Sequence, residues 1–280
     1  MTRTLKQLIK ENHPLIAPIV YDGISALLVR ELGFKAAYIG SYATGATKYG
    51  VPDIGHIGLE DMADQVRRLA PAVGVPLIVD GEGGWGNPLH VARAVQTLER
   101  AGAAATHIED HVFGKHITAS PRVLPVEQAA DKIKAAVDAR ASDDFMIIGR
   151  TDAAAGEGPA AAVDRVLAYQ EAGADGLFVA GELDSDNHAR LKAEARVPVF
   201  SGDLPGHSAA DHAAQGAAVV MYYALSHLAA AQGMRHALEV LAREESTTSL
   251  EEQLPQWQDF DVFLGIEPAR EAAKTYGLLD

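Results

Sequence analysis

A chain of 280 residues, 48% hydrophobic and 22% charged, is long enough for one large α/β core and too apolar for intrinsic disorder. Its formal net charge of −14 argues against nucleic-acid or anionic-membrane surfaces, which need clustered Lys and Arg; it leaves anionic substrates open, because a bound divalent cation inverts the sign locally. The absence of cysteine excludes disulfides, zinc–thiolate sites and thiol catalysis. No apolar run reaches the roughly 20 residues that span a bilayer, and Met1–His13 lacks a signal core, so a soluble, cytoplasmic protein is expected.

Short apolar runs alternate with amphipathic stretches along the chain. Strands are predicted near Leu15–Val20, Ala36–Ile39, Leu77–Asp80, Thr106–Glu109, Met146–Arg150, Gly176–Val179, Val197–Ser201 and Ala218–Tyr222. Helices are predicted near Ile24–Leu32, Leu59–Val73, Pro88–Ala101, Pro125–Ala139, Pro159–Ala172, Asp184–Ala195, Ala209–Ala214 and Ala224–Ala242. Three helix ends repeat one phrase, at Leu32-Gly33, Ala101-Gly102 and Ala172-Gly173, where glycine after the last turn reads as a left-handed cap leading into the next strand. Eight strand–helix units make a parallel (β/α)8 TIM barrel, expected over residues 1–243. Residues 244–280 carry Trp257, Phe260, Phe263 and Tyr276 outside the eight units. They are expected to form a helical extension that packs on this subunit or a neighbour, with self-association favoured.

Three predicted strands end in charged residues. The third runs into Asp80-Gly81-Glu82-Gly83-Gly84-Trp85-Gly86-Asn87, the fourth into Glu109-Asp110, and the fifth into Gly149-Arg150-Thr151-Asp152. Alternate side chains share a face of an extended backbone, so Asp80 and Glu82 can both point at the barrel axis, with Glu109 on the adjacent strand. Three carboxylates gathered there repel one another unless a cation sits among them, and oxygen-only ligation favours Mg²⁺ or Mn²⁺ over Zn²⁺. Asp53, in Val51-Pro52-Asp53, either completes the metal's outer shell or starts a turn. Gly40-Ser41-Tyr42-Ala43-Thr44-Gly45 is read as a turn whose small residues let N–H groups and hydroxyls approach a carboxylate. The forked donor of Arg150 suits a carboxylate or enolate oxygen, with Asp152 placed to hold it or to reach the next loop. Lys115 reads as a solvated lysine unless its loop closes over the site; His116 beside it, and His207 after the seventh strand, can carry protons near neutral pH. His107, inside a strand, reads as structural, and Tyr222 or Tyr223 is expected to face the site.

Together these motifs resemble the isocitrate lyase/phosphoenolpyruvate mutase superfamily, from about Tyr21 to Val179. The family's Asp-x-Asp-Thr-Gly-Tyr-Gly-Asn is similar to Asp80–Asn87, its Gly-x-Pro-Asp to Gly50–Asp53, its Glu-Asp pair and loop lysine to Glu109, Asp110 and Lys115, its Ala-Arg-Thr-Asp to Gly149–Asp152, and its serine after the second strand to Ser41. The resemblance implies a Mg²⁺-dependent barrel, usually tetrameric, whose last helix commonly swaps between subunits. It implies small anionic α-keto or 2-hydroxy acid substrates. Asp80 would ligate the metal directly, with Asp53, Glu82 and Glu109 acting through water. Ser41, Tyr42, Gly83, Trp85, Arg150 and His207 are the candidate substrate contacts, and Arg150, Lys115 and His116 the candidate catalytic residues.

The departures narrow the chemistry. The isocitrate and methylisocitrate lyases carry a cysteine acid in the loop after the fourth strand; this chain has Gly114-Lys115-His116-Ile117 there and no cysteine. The loop also matches the carbon–phosphorus branch poorly. Glu82 replaces the family's second Asp, one methylene longer, and Ser41-Tyr42-Ala43-Thr44 is similar to the oxaloacetate decarboxylase branch. A Mg²⁺-dependent carbon–carbon lyase or decarboxylase acting on an oxaloacetate-like acid is expected. The alternatives are phosphonopyruvate hydrolase- or mutase-like chemistry, and a non-catalytic keto-acid-binding barrel.

Overall fold

The computed structural model describes residues 3–112, 117 and 122–278. In chain order, α1 (Leu5–Glu11) precedes β1 (Leu15–Pro18), α2 (Gly23–Glu31), β2 (Ala37–Ile39) and α3 (Ser41–Thr44). Then follow α4 (Leu59–Val73), β3 (Leu77–Asp80), α5 (Pro88–Ala101), β4 (Ala105–Glu109), α6 (Val126–Ala139), β5 (Met146–Thr151) and α7 (Pro159–Glu171). The rest are β6 (Gly176–Val179), α8 (Ser185–Glu194), β7 (Val199–Gly202), α9 (Ala209–Ala214), β8 (Ala217–Tyr222), α10 (Leu225–Glu244), α11 (Trp257–Phe263) and α12 (Ile266–Thr275). All eight expected strand–helix units are present.

The strands form one parallel sheet in the order β1-β8-β7-β6-β5-β4-β3-β2. Its two ends meet through a parallel bridge between Ile19 and Tyr38, with Val20 N–H donating to the Tyr38 carbonyl at 2.8 Å. Closure removes the sheet edges and makes a barrel. The period-two alternation of each strand sorts its side chains into two cores. Ile78, Ala105, Met146, Ile148, Phe178, Phe200 and Met221 fill the interior, whereas Leu77, Val79, Ile108, Ile147 and Leu177 pack outward against the helices. The same alternation carries Asp80, His107, Glu109 and Arg150 onto the interior face where their strands surface.

Local chemistry explains the boundaries. Gly33, Gly102 and Gly173 have φ of 77°, 108° and 98°, the left-handed caps expected from the repeated phrase. Asn87 accepts from Leu89 N–H at 3.0 Å and starts α5, with Pro88 following at its first position. Two segments differ from expectation. Leu5–Glu11, given no element from the sequence, is a helix opened by a capping box between Thr4 and Gln7, and its Leu5, Leu8 and Ile9 join the interior core. The stretch after β2 is helical rather than a glycine-rich turn: α3 continues into a wider helical turn over Gly45–Tyr49, ended by Gly50 at φ 67°.

The chain divides into two compact units, Met1–His227 and Leu228–Asp280. The first holds the barrel strands. The second holds α11 and α12, on which Trp257 and Val262 are exposed. No described helix is long and apolar enough to cross a membrane.

Candidate active site at the barrel mouth

Asp80 ends β3 almost fully buried, at 3% exposure. A carboxylate there needs donors, and the segment after β2 supplies them. Ser41 Oγ donates to Asp80 Oδ2 at 2.9 Å, Ser41 N–H lies 3.3 Å from the same oxygen, and Glu82 N–H donates to Oδ1 at 2.9 Å. Ser41 Oγ also lies 3.4 Å from Asp53 Oδ1, so the serine gathers Asp53 and Asp80 at one point. Behind them His107 Nδ1 sits 3.6 Å from Asp80, and its Nε2 meets the Tyr38 hydroxyl at 3.0 Å. Burial, then the Asp80 charge, holds the Tyr38 phenol well above its ordinary pKa, so it stays a neutral partner of His107.

The turn after Asp80 stores strain. Glu82 and Trp85 sit at φ 49° and 55°, a region non-glycine residues avoid. Several contacts hold the turn: Glu109 N–H donates to Glu82 O at 3.0 Å, Trp85 Nε1 to Ile57 O at 2.9 Å, and Lys132 Nζ to Gly83 O at 2.8 Å. Gly81 is required at the start, since a Cβ there would lie 2.5 Å from Thr106 Oγ1 and 2.7 Å from His107 O. Lys132 is buried on α6, and burial lowers its pKa against the opposing pull of Glu109 and Asp110. It was not singled out in the sequence. Its signal was position: it lies on the buried stripe of Ala129, Ile133 and Ala136.

Arg150 ends β5. Its Nε and Nη2 donate to the two oxygens of Asp152 at 2.9 and 2.8 Å, and Nη1 lies 3.2 Å from Glu109. Burial alone would lower its pKa, but Asp152, Glu109 and Asp80 outweigh that and raise it, so the guanidinium is permanently charged. Its plane lies over the Phe178 ring, 5.3 Å from the centroid. Asp152 is itself anchored. Its N–H donates to Asp110 Oδ1 at 3.0 Å, and Asp110 Oδ2 accepts from Thr151 Oγ1 at 2.6 Å and Tyr169 OH at 2.7 Å.

A cavity of about 730 Å³ opens at this mouth, lined by Tyr42, Asp53, Asp80, Arg150 and Asp152 on one side and by Phe178, Leu204 and Tyr223 on the other. A second cavity, of about 330 Å³, is bordered by Glu82, Gly83, Trp85, Glu109, His111 and Lys132. Glu109 connects the two through Arg150. Of the residues expected from the sequence, Ser41, Asp53 and Asp80 meet at the mouth; Tyr42 and Arg150 line the large cavity; Glu82, Gly83, Trp85 and Glu109 border the smaller one. Tyr223 lines the large cavity. His207 does not line it: Nδ1 lies 3.4 Å from Pro205 O, and the ring packs 5.7 Å from that of His212. The loop after β7 turns that imidazole toward α9. Lys115 and His116 lie outside the described residues.

The carboxylates of Asp80 and Asp53, which Ser41 Oγ brings together, offer only oxygen ligands, which suits a hard cation. Among the described residues, no three His, Asp or Glu side chains converge to ligate an ion by themselves.

Residues 5–242 match the family model described as phosphoenolpyruvate phosphomutase. The chain belongs to the isocitrate lyase/phosphoenolpyruvate mutase superfamily. It is 30% identical to 2,3-dimethylmalate lyase of Eubacterium barkeri over 97% of this chain and 96% of that one. It is 40% identical to oxaloacetate decarboxylase of Rhodopseudomonas palustris, over 66% of this chain and 65% of that one. The crystal structure of phosphonopyruvate hydrolase in complex with oxalate and Mg²⁺ superposes with a TM-score of 0.87 at 28% identity, covering 97% of each chain.

The strained turn generates a test. Lys132→Met keeps the length of the side chain and removes the donor to Gly83. It should cost about 1–3 kcal/mol of stability and weaken divalent-metal affinity, because Glu82 loses its fixed backbone. Urea unfolding and a metal titration measure both; unchanged values would show that the turn holds without the lysine.

Proposed function

We propose that this chain is a Mg²⁺-dependent carbon–carbon lyase or decarboxylase that acts on a small oxo- or hydroxy-dicarboxylate of the oxaloacetate type. The observation that carries this reading is the junction at one mouth of a buried, all-oxygen acidic cluster with a permanently charged arginine held flat by Asp152. Asp80 would hold the metal, with Asp53, Glu82 and Glu109 supporting it through bound water. When bound, the cation supplies Lewis-acid polarisation of the substrate's oxygens.

The protein's own groups do the rest. The Ser41 hydroxyl and N–H hold the Asp80 carboxylate in place at the mouth. Arg150 binds the substrate carboxylate and offers charge where an enolate oxygen develops as the carbon–carbon bond breaks. Asp152 fixes the plane of that guanidinium, so little reorganisation accompanies the step. Tyr42, Gly83 and Trp85 border the substrate. Lys115 and His116 are the proposed groups of the loop after β4, with His116 delivering the proton that quenches the enolate. Similarity to an oxaloacetate decarboxylase and a 2,3-dimethylmalate lyase supports the carbon–carbon reading.

Incubation with oxaloacetate, phosphonopyruvate and 2-methylisocitrate, with and without Mg²⁺, should yield pyruvate from the oxaloacetate-type acid in a Mg²⁺-dependent way. A folded Asp80→Ala protein should lose that activity and its metal affinity together. Pyruvate from phosphonopyruvate alone would move the chain to carbon–phosphorus chemistry, and none from any would leave a binding barrel.

Arg150→Lys keeps the charge but loses the fork. Losing one charge-assisted hydrogen bond costs roughly 1.5–3 kcal/mol, so kcat should fall about ten- to a hundredfold, more than KM rises. An unchanged kcat would reduce Arg150 to a structural partner of Asp152.

We further propose that the chain is a homo-oligomer, dimer or tetramer, and that residues 244–280 pack on a neighbouring subunit. Trp257, Leu264 and Tyr276 are at least half exposed in this unit, an apolar surface that a second copy would cover. Truncation before Leu254 should lower the oligomer size or the solubility, read by light scattering; an identical oligomer without the tail would rule the packing role out.

A further inference from the structure

The large cavity has two chemically different sides, and they follow the order of strands around the ring. The polar side comes from the ends of β2, β3 and β5, with Asp53, Asp80, Arg150 and Asp152. The other comes from the ends of β6, β7 and β8, where Phe178, Ala180, Leu204, Met221 and Tyr223 outnumber the polar Ser201 and Asp203. Arg150, lying over the Phe178 ring, marks the boundary.

Two further observations concern the second side. Among the described residues that line the cavity, Arg150 is the sole cation, and it already faces the polar side. The charge that the second side does contribute is negative: Asp203 follows β7, its Oδ1 accepting from Tyr223 N–H at 3.1 Å. A substrate carboxylate placed there would lose water, gain no cation from these residues and meet Asp203, which is costly. An alkyl or aryl group would instead exchange water for carbon. The cavity, about 730 Å³, is within the usual range of small-molecule sites.

We propose that the substrate carries an apolar branch larger than methyl, alkyl or aryl, next to its oxo or hydroxy carbon, and that this branch lies on Phe178, Ala180, Leu204, Met221 and Tyr223. The proposal rests on the reading of the polar side as the Mg²⁺ and carboxylate site. It separates this chain's preference from that of a substrate with a third carboxylate, which needs a cation on the second side.

Calorimetric titration of the full-length protein in Mg²⁺ tests it with named product-like acids: oxalate, pyruvate, 2-oxobutanoate, 2-oxopentanoate, phenylpyruvate and 2-oxoglutarate. Affinity should rise about two- to fourfold per methylene from pyruvate to 2-oxopentanoate, and phenylpyruvate should exceed pyruvate. The matched pair decides the charge argument: 2-oxoglutarate should bind about tenfold more weakly than 2-oxopentanoate, from which it differs by its terminal carboxylate. In Leu204→Lys, a change in a half-buried loop position, this preference should shrink or reverse. A flat or falling series, tighter binding of 2-oxoglutarate by the unaltered protein, or an unaltered preference in Leu204→Lys would each overturn the proposal while Mg²⁺-dependent oxalate binding left the polar-side reading standing. Failure of oxalate to bind in a Mg²⁺-dependent way would overturn both.

Discussion

An ionised carboxylate in a barrel interior costs several kcal/mol unless donors replace the water it gives up. Asp80 lives under that constraint, and much of the mouth is arranged around it. Ser41 reaches it with both hydroxyl and N–H, which is why the chain after β2 must be compact and helical there. Glu82 reaches it with N–H, which pins the next turn in a left-handed conformation. His107 stands behind it and is oriented by Tyr38. The groups come from the ends of β2, β3 and β4, so the site depends on these strands pairing side by side.

A second set of interactions does the same for positive charge. Arg150 is fixed through Asp152, and Asp152 through Asp110, whose carboxylate also takes the hydroxyls of Thr151 and Tyr169. Arg165 lies 3.4 Å from Asp110, makes a two-point pair with Glu157 and donates to Leu124 O at 2.8 Å. The relay therefore runs from α7 through β4 to β5, and it returns to the chain just after the loop that holds Lys115 and His116. Burial raises the pKa of Asp110 against these hydrogen bonds, a balance that only a closely fitted donor set can hold. The Glu109-Asp110 pair thus divides its labour. Glu109 faces the mouth and Arg150, whereas Asp110 faces the outer shell.

The placement follows from barrel geometry. In (β/α)8 proteins the C-terminal ends of the strands form the working face, and side chains from several strands meet there. The ends of β2 to β5 carry most of the charge at the mouth, and those of β6 to β8 mostly carbon, with Asp203 the exception. The split keeps the desolvated acids close enough to share a cation and the arginine.

Much of this was legible in the residues. Period-two apolar runs ending in Asp80, Glu109 and Arg150, with capping glycines at Gly33, Gly102 and Gly173, determine the strand faces and hence a parallel barrel with an acidic mouth and an arginine beside it. Those are local rules, and local rules survive translation from sequence. Other features had weak or no local signatures. Lys132 lies on the buried stripe of α6, but its partner, Gly83 O on the β3 turn, appears only when α6 is laid against that turn. His207 reads as a mouth residue until the loop after β7 turns it toward His212. The helical segment after β2 looks like a glycine-rich turn, and the apolar wall joins Phe178, Leu204 and Tyr223 from three separate strand ends. Sequence by itself determined which residues face inward, because alternation along a strand is a property of the chain. Which of them touch was decided by the tertiary structure, because closing the ring sets the distances between residues far apart in the sequence.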